Sequence, residues 1–133
     1  MSIASLSIGT NVKVCAMVKA NAYGHGLKDV CIALKHADFF GVASCFEAKQ
    51  IRKFNKQTPI LIVGVTDPNN VLWCAQNNVS VTVSSFNELK LYSLICGYNK
   101  LHIHLKINSG LNVNSSVSKG QHNKNQRSLN CLS

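Results

Sequence analysis

Acidic residues and prolines are scarce in this chain. Its 133 residues include five Asp and Glu against 14 Lys and Arg, which gives a formal net charge of +9, and only two prolines. No apolar run approaches the roughly 18 residues of a membrane span. The first seven residues also lack the positively charged start of a secretory signal. We therefore expect a globular, cytoplasmic protein without a membrane segment.

Neither the basic residues nor the six cysteines are arranged as a binding motif. Lys and Arg are scattered singly, and no basic run alternates with aromatic residues as single-strand nucleic-acid binders require. No two cysteines form a C-x-x-C pair, the spacing typical of structural zinc and redox sites. We predict no nucleic-acid partner, no metal, and reduced cysteines that act as small apolar residues.

Short apolar segments alternate with helical patterns along the chain. The predicted strands are 12–18, 39–43, 60–63, 79–83 and 101–107. Strand ends that recur every twenty to twenty-four residues or so are typical of βα repeats, so we predict an α/β fold: a partial TIM-type (β/α) barrel with about five of its eight strands. An open sheet of this kind leaves two unpaired edges and one uncovered face, and we expect it to aggregate or to need a partner.

Sequence signals also mark where helices begin and end. They are a Ser44–Glu47 capping box, Thr66-Asp67-Pro68 before a helix, Ser84 or Ser85 as the cap of the next helix, and Gly97 at its end.

Residues 113–133 have no apolar periodicity and are rich in Ser, Asn, Gln and Lys. They predict an unstructured or out-of-frame tail, and the second hypothesis is tested by reading the other two frames of the DNA beyond codon 112.

One lysine ends the first predicted strand. The run from Val14 to Val18 is apolar, as in a strand buried on both faces, and Lys19 follows it. Side chains alternate along a strand, so Lys19 shares a face with Cys15 and Met17. A lysine near apolar walls can serve as an amine nucleophile, and the glycines that follow suit an approaching phosphate. The alternative is a lysine that only extends its amine to solvent before an ordinary turn.

The residues around Lys19 resemble a known motif. V-K-A-N-A-Y-G-H-G, residues 18–26, is similar to the cofactor-lysine motif of the alanine racemases, enzymes that depend on pyridoxal 5'-phosphate (PLP). Segments 37–43, 59–64 and 104–110 resemble later strands of the same family's barrel domain. The resemblance implies a PLP-binding barrel domain at residues 1–112. It also implies interconversion of L- and D-alanine, supply of D-alanine for peptidoglycan, and a homodimer in the family.

The resemblance assigns roles to three residues. Lys19 would form the aldimine with PLP and act as a catalytic base, and Tyr23 would donate a hydrogen bond to the phosphate. Lys106 corresponds to a lysine that is often carbamylated in the family. The arginine expected seven residues after it is replaced by Val113.

The sequence leaves the activity of this chain open. The tyrosine that serves the other face of the substrate in the family has no counterpart here, so we expect a fragment that is inactive alone. Two alternatives are a non-catalytic PLP-binding protein and a half-barrel interaction module.

His102 and His104 share a strand face with Lys106, but no third ligand accompanies them, which favours two imidazoles inside a barrel over a metal site.

Overall fold

Five parallel strands form one sheet in the computed structural model, which describes residues 12–107. The strands lie side by side in chain order, and each is hydrogen-bonded to the next in parallel. The elements are β1 (Cys15–Met17), α1 (Lys19–Tyr23), α2 (Leu27–Ala33), β2 (Phe39–Val42), α3 (Cys45–Arg52), β3 (Ile60–Ile62), α4 (Pro68–Gln76), β4 (Val79–Val83), α5 (Phe86–Cys96) and β5 (Ile103–Leu105). This is the α/β arrangement that the sequence predicts, as a sector of a barrel.

One face of the sheet is packed against the helices and forms the core. Its residues are apolar, mostly β-branched, and the ones at the centre are 0–1% exposed: Val18, Phe40, Val42, Ile60, Ile62, Val79, Val81 and Val83. Cys31, Ala48, Ile51, Val71, Cys74 and Tyr92 cover them from the helices. Burial of this continuous apolar face is the main stabilising contribution to the fold.

The opposite face is concave and more open. In the ladder, Cys15 pairs with Phe39, and Thr82 pairs with His104. The rings of Phe39 on β2 and His104 on β5 lie edge to face with centroids 6.4 Å apart. Those strands are three places apart, about 14 Å in a flat sheet, so the sheet must curl to bring the rings together.

The prediction that the first strand is buried on both faces is wrong. Cys15 and Met17 are exposed, whereas Val18 on the other face is fully buried. The apolar run therefore reflects one face packed on helices and one face that nothing within residues 12–107 covers. The regular parts of β1 and β5 are also shorter than predicted, because only three residues of each pair with a neighbour.

The helices begin and end where the sequence signals predict. Ser44 and Ser85 each form a complete capping box with the glutamate three residues later, and Asp67 caps α4, with Pro68 in its first turn. Gly97, at φ +54°, ends α5. Within the described residues no helix is long and apolar enough to cross a membrane.

A buried arginine joins two connections on the helical side of the sheet. Arg52 is 4% exposed and donates to the backbone carbonyls of Asn55, Asn77 and Asn78 over 2.8–3.0 Å. Burial lowers its guanidinium pKa from the ordinary value. No local sequence pattern predicts this role of Arg52, because the carbonyls of residues 77 and 78 are 25 residues or more away along the chain.

Candidate functional site

The polar residues of the predicted site lie at the carboxyl edge of the sheet, where the parallel strands end. Lys19 lies two residues after the end of β1, and Lys106 directly follows β5. Lys19 is half-buried, and its neighbour Val18 points into the helix-covered core. Val18 itself is not extended, with φ −122° and ψ 20°, and Lys19 begins α1 at this edge. In α/β barrels this edge is the one that carries active sites.

The chain after Lys19 takes a left-handed turn. Ala20, Asn21, Ala22 and Tyr23 have φ between +52° and +56°, and Gly24, at φ +86°, closes the turn. Left-handed backbone costs a non-glycine residue roughly 1–2 kcal/mol. Four such residues in a row are rare, and backbone strain of this kind is concentrated at functional sites.

Hydrogen bonds inside the segment stabilise the turn. The amide of Ala22 donates to the carbonyl of Val18 over 2.9 Å, and the amide of Gly24 donates to the carbonyl of Ala20 over 3.1 Å. The side chain of Asn21 accepts from the amide of Leu27 at the start of α2 over 2.8 Å. Ala22 is 4% exposed and packs in the core, so the turn is tied to the domain.

A carboxylate from another element reaches the same turn. Oε1 of Glu47, on α3, accepts from the amide of Ala20 over 2.7 Å. Its Oε2 accepts from the amide of Ala43 over 2.7 Å and from that of Ser44 over 3.3 Å. One side chain thus joins the residue after Lys19 to the end of β2. The capping box predicts the bond to Ser44, but no sequence pattern predicts the bond to Ala20.

Tyr23 ends the left-handed turn with its ring largely in solvent. The side chain is 58% exposed. Gly24 beside it is open, since a Cβ there would have no atom within 4 Å. Within residues 12–107, Tyr23 and the Cα of Gly24 therefore both face solvent.

Lys106 follows β5, whereas Lys19 follows β1, so the two lysines lie at opposite edge strands of the sheet. The amide of Lys106 donates to the carbonyl of Val83 over 2.8 Å, which continues the ladder past β5. Its side chain lines a crevice of about 10 Å³ with Gly64, Thr82, Ser84 and Glu88. That volume holds about one water molecule. Val113 and the predicted tail lie outside the described residues.

The two histidines of β5 are on the open face. His104 packs its ring against Phe39, and the loss of water there lowers the pKa of the imidazole, with His102 adding a smaller effect of the same sign. Both histidines are exposed in the described part of the chain, which forms only a sector of the barrel whose interior we expected them to line. Within residues 12–107 no group of three His, Cys, Asp or Glu is placed to hold a metal ion.

The described cysteines are free thiols, and four of them are buried as predicted: Cys31, Cys45, Cys74 and Cys96. The sulfur atoms of Cys45 and Cys74 lie 4.0 Å apart between α3 and α4. Burial, followed by the effect of Cys45, raises the pKa of Cys74 to about 12, so this thiol is inert at neutral pH. Cys15 is exposed, because it faces the concave side, and Cys131 lies outside the described residues.

Fold and site together define a class of protein. A parallel α/β sheet of the barrel type, with a lysine after its first strand and a strained turn at the same edge, is part of an α/β barrel domain, a class whose active sites lie at the carboxyl ends of the strands.

Comparison with known proteins makes the class specific. The sequence matches the family described as "Alanine racemase, N-terminal domain" over residues 2–115. The alanine racemase of Acinetobacter baumannii (strain SDF) is 39% identical over 102 residues, which cover 76% of this chain. This chain belongs to the alanine racemase N-terminal domain family.

Solved structures share the same fold. The alanine racemase of Clostridium difficile 630 matches 79% of this chain with a TM-score of 0.74 and 29% identity. A histidine racemase from Leuconostoc mesenteroides subsp. sake NBRC 102480 matches 76% with a TM-score of 0.68 and 29% identity. The chain spans 28–29% of the length of these three relatives.

Proposed function

We propose that this chain is the PLP-binding part of an alanine racemase, with Lys19 as the residue that binds the cofactor covalently. The reaction would interconvert L- and D-alanine and supply D-alanine for peptidoglycan. The observation that carries the proposal is the left-handed turn directly after Lys19, because this costly conformation occurs in the segment that resembles the family's cofactor motif.

The residues of the turn fit such a cofactor. The primary amine of Lys19 can condense with an aldehyde. The exposed Tyr23 hydroxyl can donate to a phosphate, and the open space at Gly24 leaves room for one. When bound, PLP supplies an electron sink for the negative charge that forms at the α-carbon of an amino acid.

The proton chemistry would belong to Lys19. Nζ of Lys19, once released by the substrate amine, would remove the α-proton from one side of the substrate and return it. Its place at the carboxyl edge of the sheet would put the amine where α/β barrels carry their active sites. Tyr23 would orient the phosphate without taking part in the proton transfer. Lys106, if carbamylated as in the family, would turn a positive charge on the same face into a negative one.

The chain alone would not complete a racemisation. A second base is needed on the other side of the substrate, and neither remaining tyrosine of the described part serves. Tyr92 is 2% exposed and donates to the carbonyl of Thr66 over 2.6 Å on the helical side of the sheet. Tyr98 lies in the loop after α5. We expect PLP binding without turnover from this chain by itself.

Domain limits, location and substrate are part of the same proposal. The cofactor domain would occupy residues 1–112, followed by a tail at 113–133, in a cytoplasmic protein whose full-length relatives act as homodimers. Alanine is favoured over histidine by the family match, although one structural neighbour bears the name of a histidine racemase.

The test is conversion of L- to D-alanine by the purified chain with added PLP, together with the PLP absorbance spectrum. Wild type should show a Lys19-dependent shift of the PLP band and no turnover above that of Lys19→Ala. Lys100→Ala, which changes an exposed lysine before β5, is the matched control and should behave as wild type. A PLP spectrum unchanged by Lys19→Ala would contradict cofactor binding at this residue.

A second candidate function is an interaction module that completes a barrel with another chain. The open concave face and the unpaired edges of β1 and β5 favour it. Coexpression with the remaining part of a related alanine racemase should then raise the soluble yield of this chain. An unchanged yield would speak against this role.

A further inference from the structure

Two strand-to-helix junctions of this domain are built in the same way. After β2, Ser44 caps α3 and Glu47 accepts from the amides of Ala43 and Ser44. After β4, Ser85 caps α5, and Glu88 accepts from the amides of Ser84 and Ser85 over 2.9 Å and 3.2 Å. Each glutamate therefore holds the end of a strand to the start of the next helix.

The two glutamates differ in what else they bind. The second oxygen of Glu47 accepts from the amide of Ala20, 27 residues away along the chain. The hydrogen bonds of Glu88 reach no further than its own junction, at Ser84 and Ser85. Within residues 12–107, every hydrogen bond that the Glu88 carboxylate accepts comes from the start of its own helix. Helix capping does not account for the contact between Glu47 and Ala20.

Ala20 is the residue at which the chain enters the left-handed turn, and its amide is one peptide unit from the α-carbon of Lys19. A hydrogen bond from a neutral donor to a carboxylate is stronger than one between neutral groups. The 2.7 Å bond therefore fixes the peptide plane between Lys19 and Ala20. Because Glu47 is itself held by Ala43 at the end of β2, it ties the backbone of Lys19 to the neighbouring strand.

We propose that Glu47 is a positioning residue for Lys19. Its carboxylate holds the peptide after Lys19 so that the amine is kept at the carboxyl edge of the sheet in the orientation that reacts with an aldehyde. The consequence for PLP rests on the proposed function, whereas the effect on the Lys19–Ala20 peptide does not.

The test compares Glu47→Gln with Glu88→Gln in the whole chain. Both changes remove one negative charge from an equivalent capping box. A glutamine at 47 can accept from one amide, but its NH₂ group then faces the other donor. Hydrogen exchange of the Ala20 amide should accelerate about tenfold in Glu47→Gln and stay unchanged in Glu88→Gln. The rate of borohydride-trapped PLP attachment to Lys19 should fall about tenfold in Glu47→Gln alone.

Ser44→Ala separates positioning from helix stability. It removes the cap of α3 but leaves the Glu47 carboxylate on Ala20. It should lower the stability of α3 without accelerating Ala20 exchange relative to other amides of the segment. Acceleration in Ser44→Ala equal to that in Glu47→Gln would overturn the proposal, because the effect would then come from loss of the helix. Equal exchange at Ala20 in Glu47→Gln and wild type would overturn it as well.

The outcomes distinguish this inference from the proposed function. If wild type attaches no PLP at Lys19, the proposed function fails, and the exchange of the Ala20 amide still decides the role of Glu47. If PLP attaches equally fast in wild type and Glu47→Gln while Ala20 exchange differs, Glu47 shapes the turn but not the reactivity of Lys19, and the positioning role is refuted.

Discussion

The two faces of the sheet differ in residue composition and in burial. On the helix-covered face, the central residues of the strands are apolar and 0–1% exposed. On the concave face, the same strands carry hydroxyl residues and His104, and two lysines lie at the carboxyl edge. Alternation along each strand separates the two sets by a single residue. One face thus provides stability, while the other and its carboxyl edge provide the groups that can react.

The largest effect is expected on the covered face. Phe40→Ala removes a fully buried ring from the core and should lower the free energy of unfolding by about 3–5 kcal/mol. Phe39→Ala is the matched control, since it is the adjacent residue on the open face. It should cost about 1 kcal/mol, because the ring is half-buried, lies edge to face with His104 and has the Lys13 ammonium over its face. Urea unfolding followed by circular dichroism measures both, and equal losses would remove the distinction between the faces.

A smaller loss of stability is expected from adding a methyl group at Gly64, at the carboxyl edge of the sheet. Gly64→Ala would press its Cβ against the carbonyl oxygen of Ala43, which is backbone and cannot move aside. It should cost about 1–3 kcal/mol.

Gly41→Ala is the counterpart on the concave face. Its Cβ would meet the flexible side chain of Met17, which can swing into open space. A cost below about 1 kcal/mol is expected in the same unfolding assay. A larger loss for Gly41→Ala than for Gly64→Ala would mean that the concave face is packed more rigidly than its exposure indicates.

The smallest effect is the contribution of His104 to the pH dependence of folding stability. The pKa of His104 is lowered in the folded chain, so the unfolded chain binds more protons as pH falls through the unfolded value near 6.5. The contribution of neutral His104 to the free energy of unfolding is fully present above that pH. It declines as the pH falls from the unfolded pKa to the lower pKa of the folded chain. His104→Gln should flatten the decline in stability between pH 7 and 5, measured by urea unfolding, more than His102→Gln does. If stability falls with pH equally steeply in His104→Gln and His102→Gln, His104 is not the group responsible.

Much of the architecture is readable from the sequence. The recurrence of strand ends predicts the parallel sheet, and local chemistry predicts the caps at Ser44 and Asp67 and the end of α5 at Gly97. These features depend on residues within a few positions of one another. Strand alternation also predicts correctly that Val18 lies opposite Cys15 and Met17.

The features that the sequence does not predict depend on distant partners or on strain. The bond between Glu47 and Ala20 and the bonds of Arg52 to Asn77 and Asn78 span 25 residues or more. The left-handed turn contradicts the backbone preference of Ala20, Ala22 and Tyr23, so no propensity argument leads to it. For β1, apolarity alone cannot distinguish a strand covered on both faces from one covered on a single face.

The central claim is that Lys19 is the amine of this chain that binds PLP. The most direct measurement is to mix the purified chain with PLP, reduce with borohydride and map the labelled lysine by mass spectrometry. The account predicts a label concentrated at Lys19 and absent from exposed lysines such as Lys28 and Lys35 at the same PLP concentration. A label spread evenly over the lysines would contradict it.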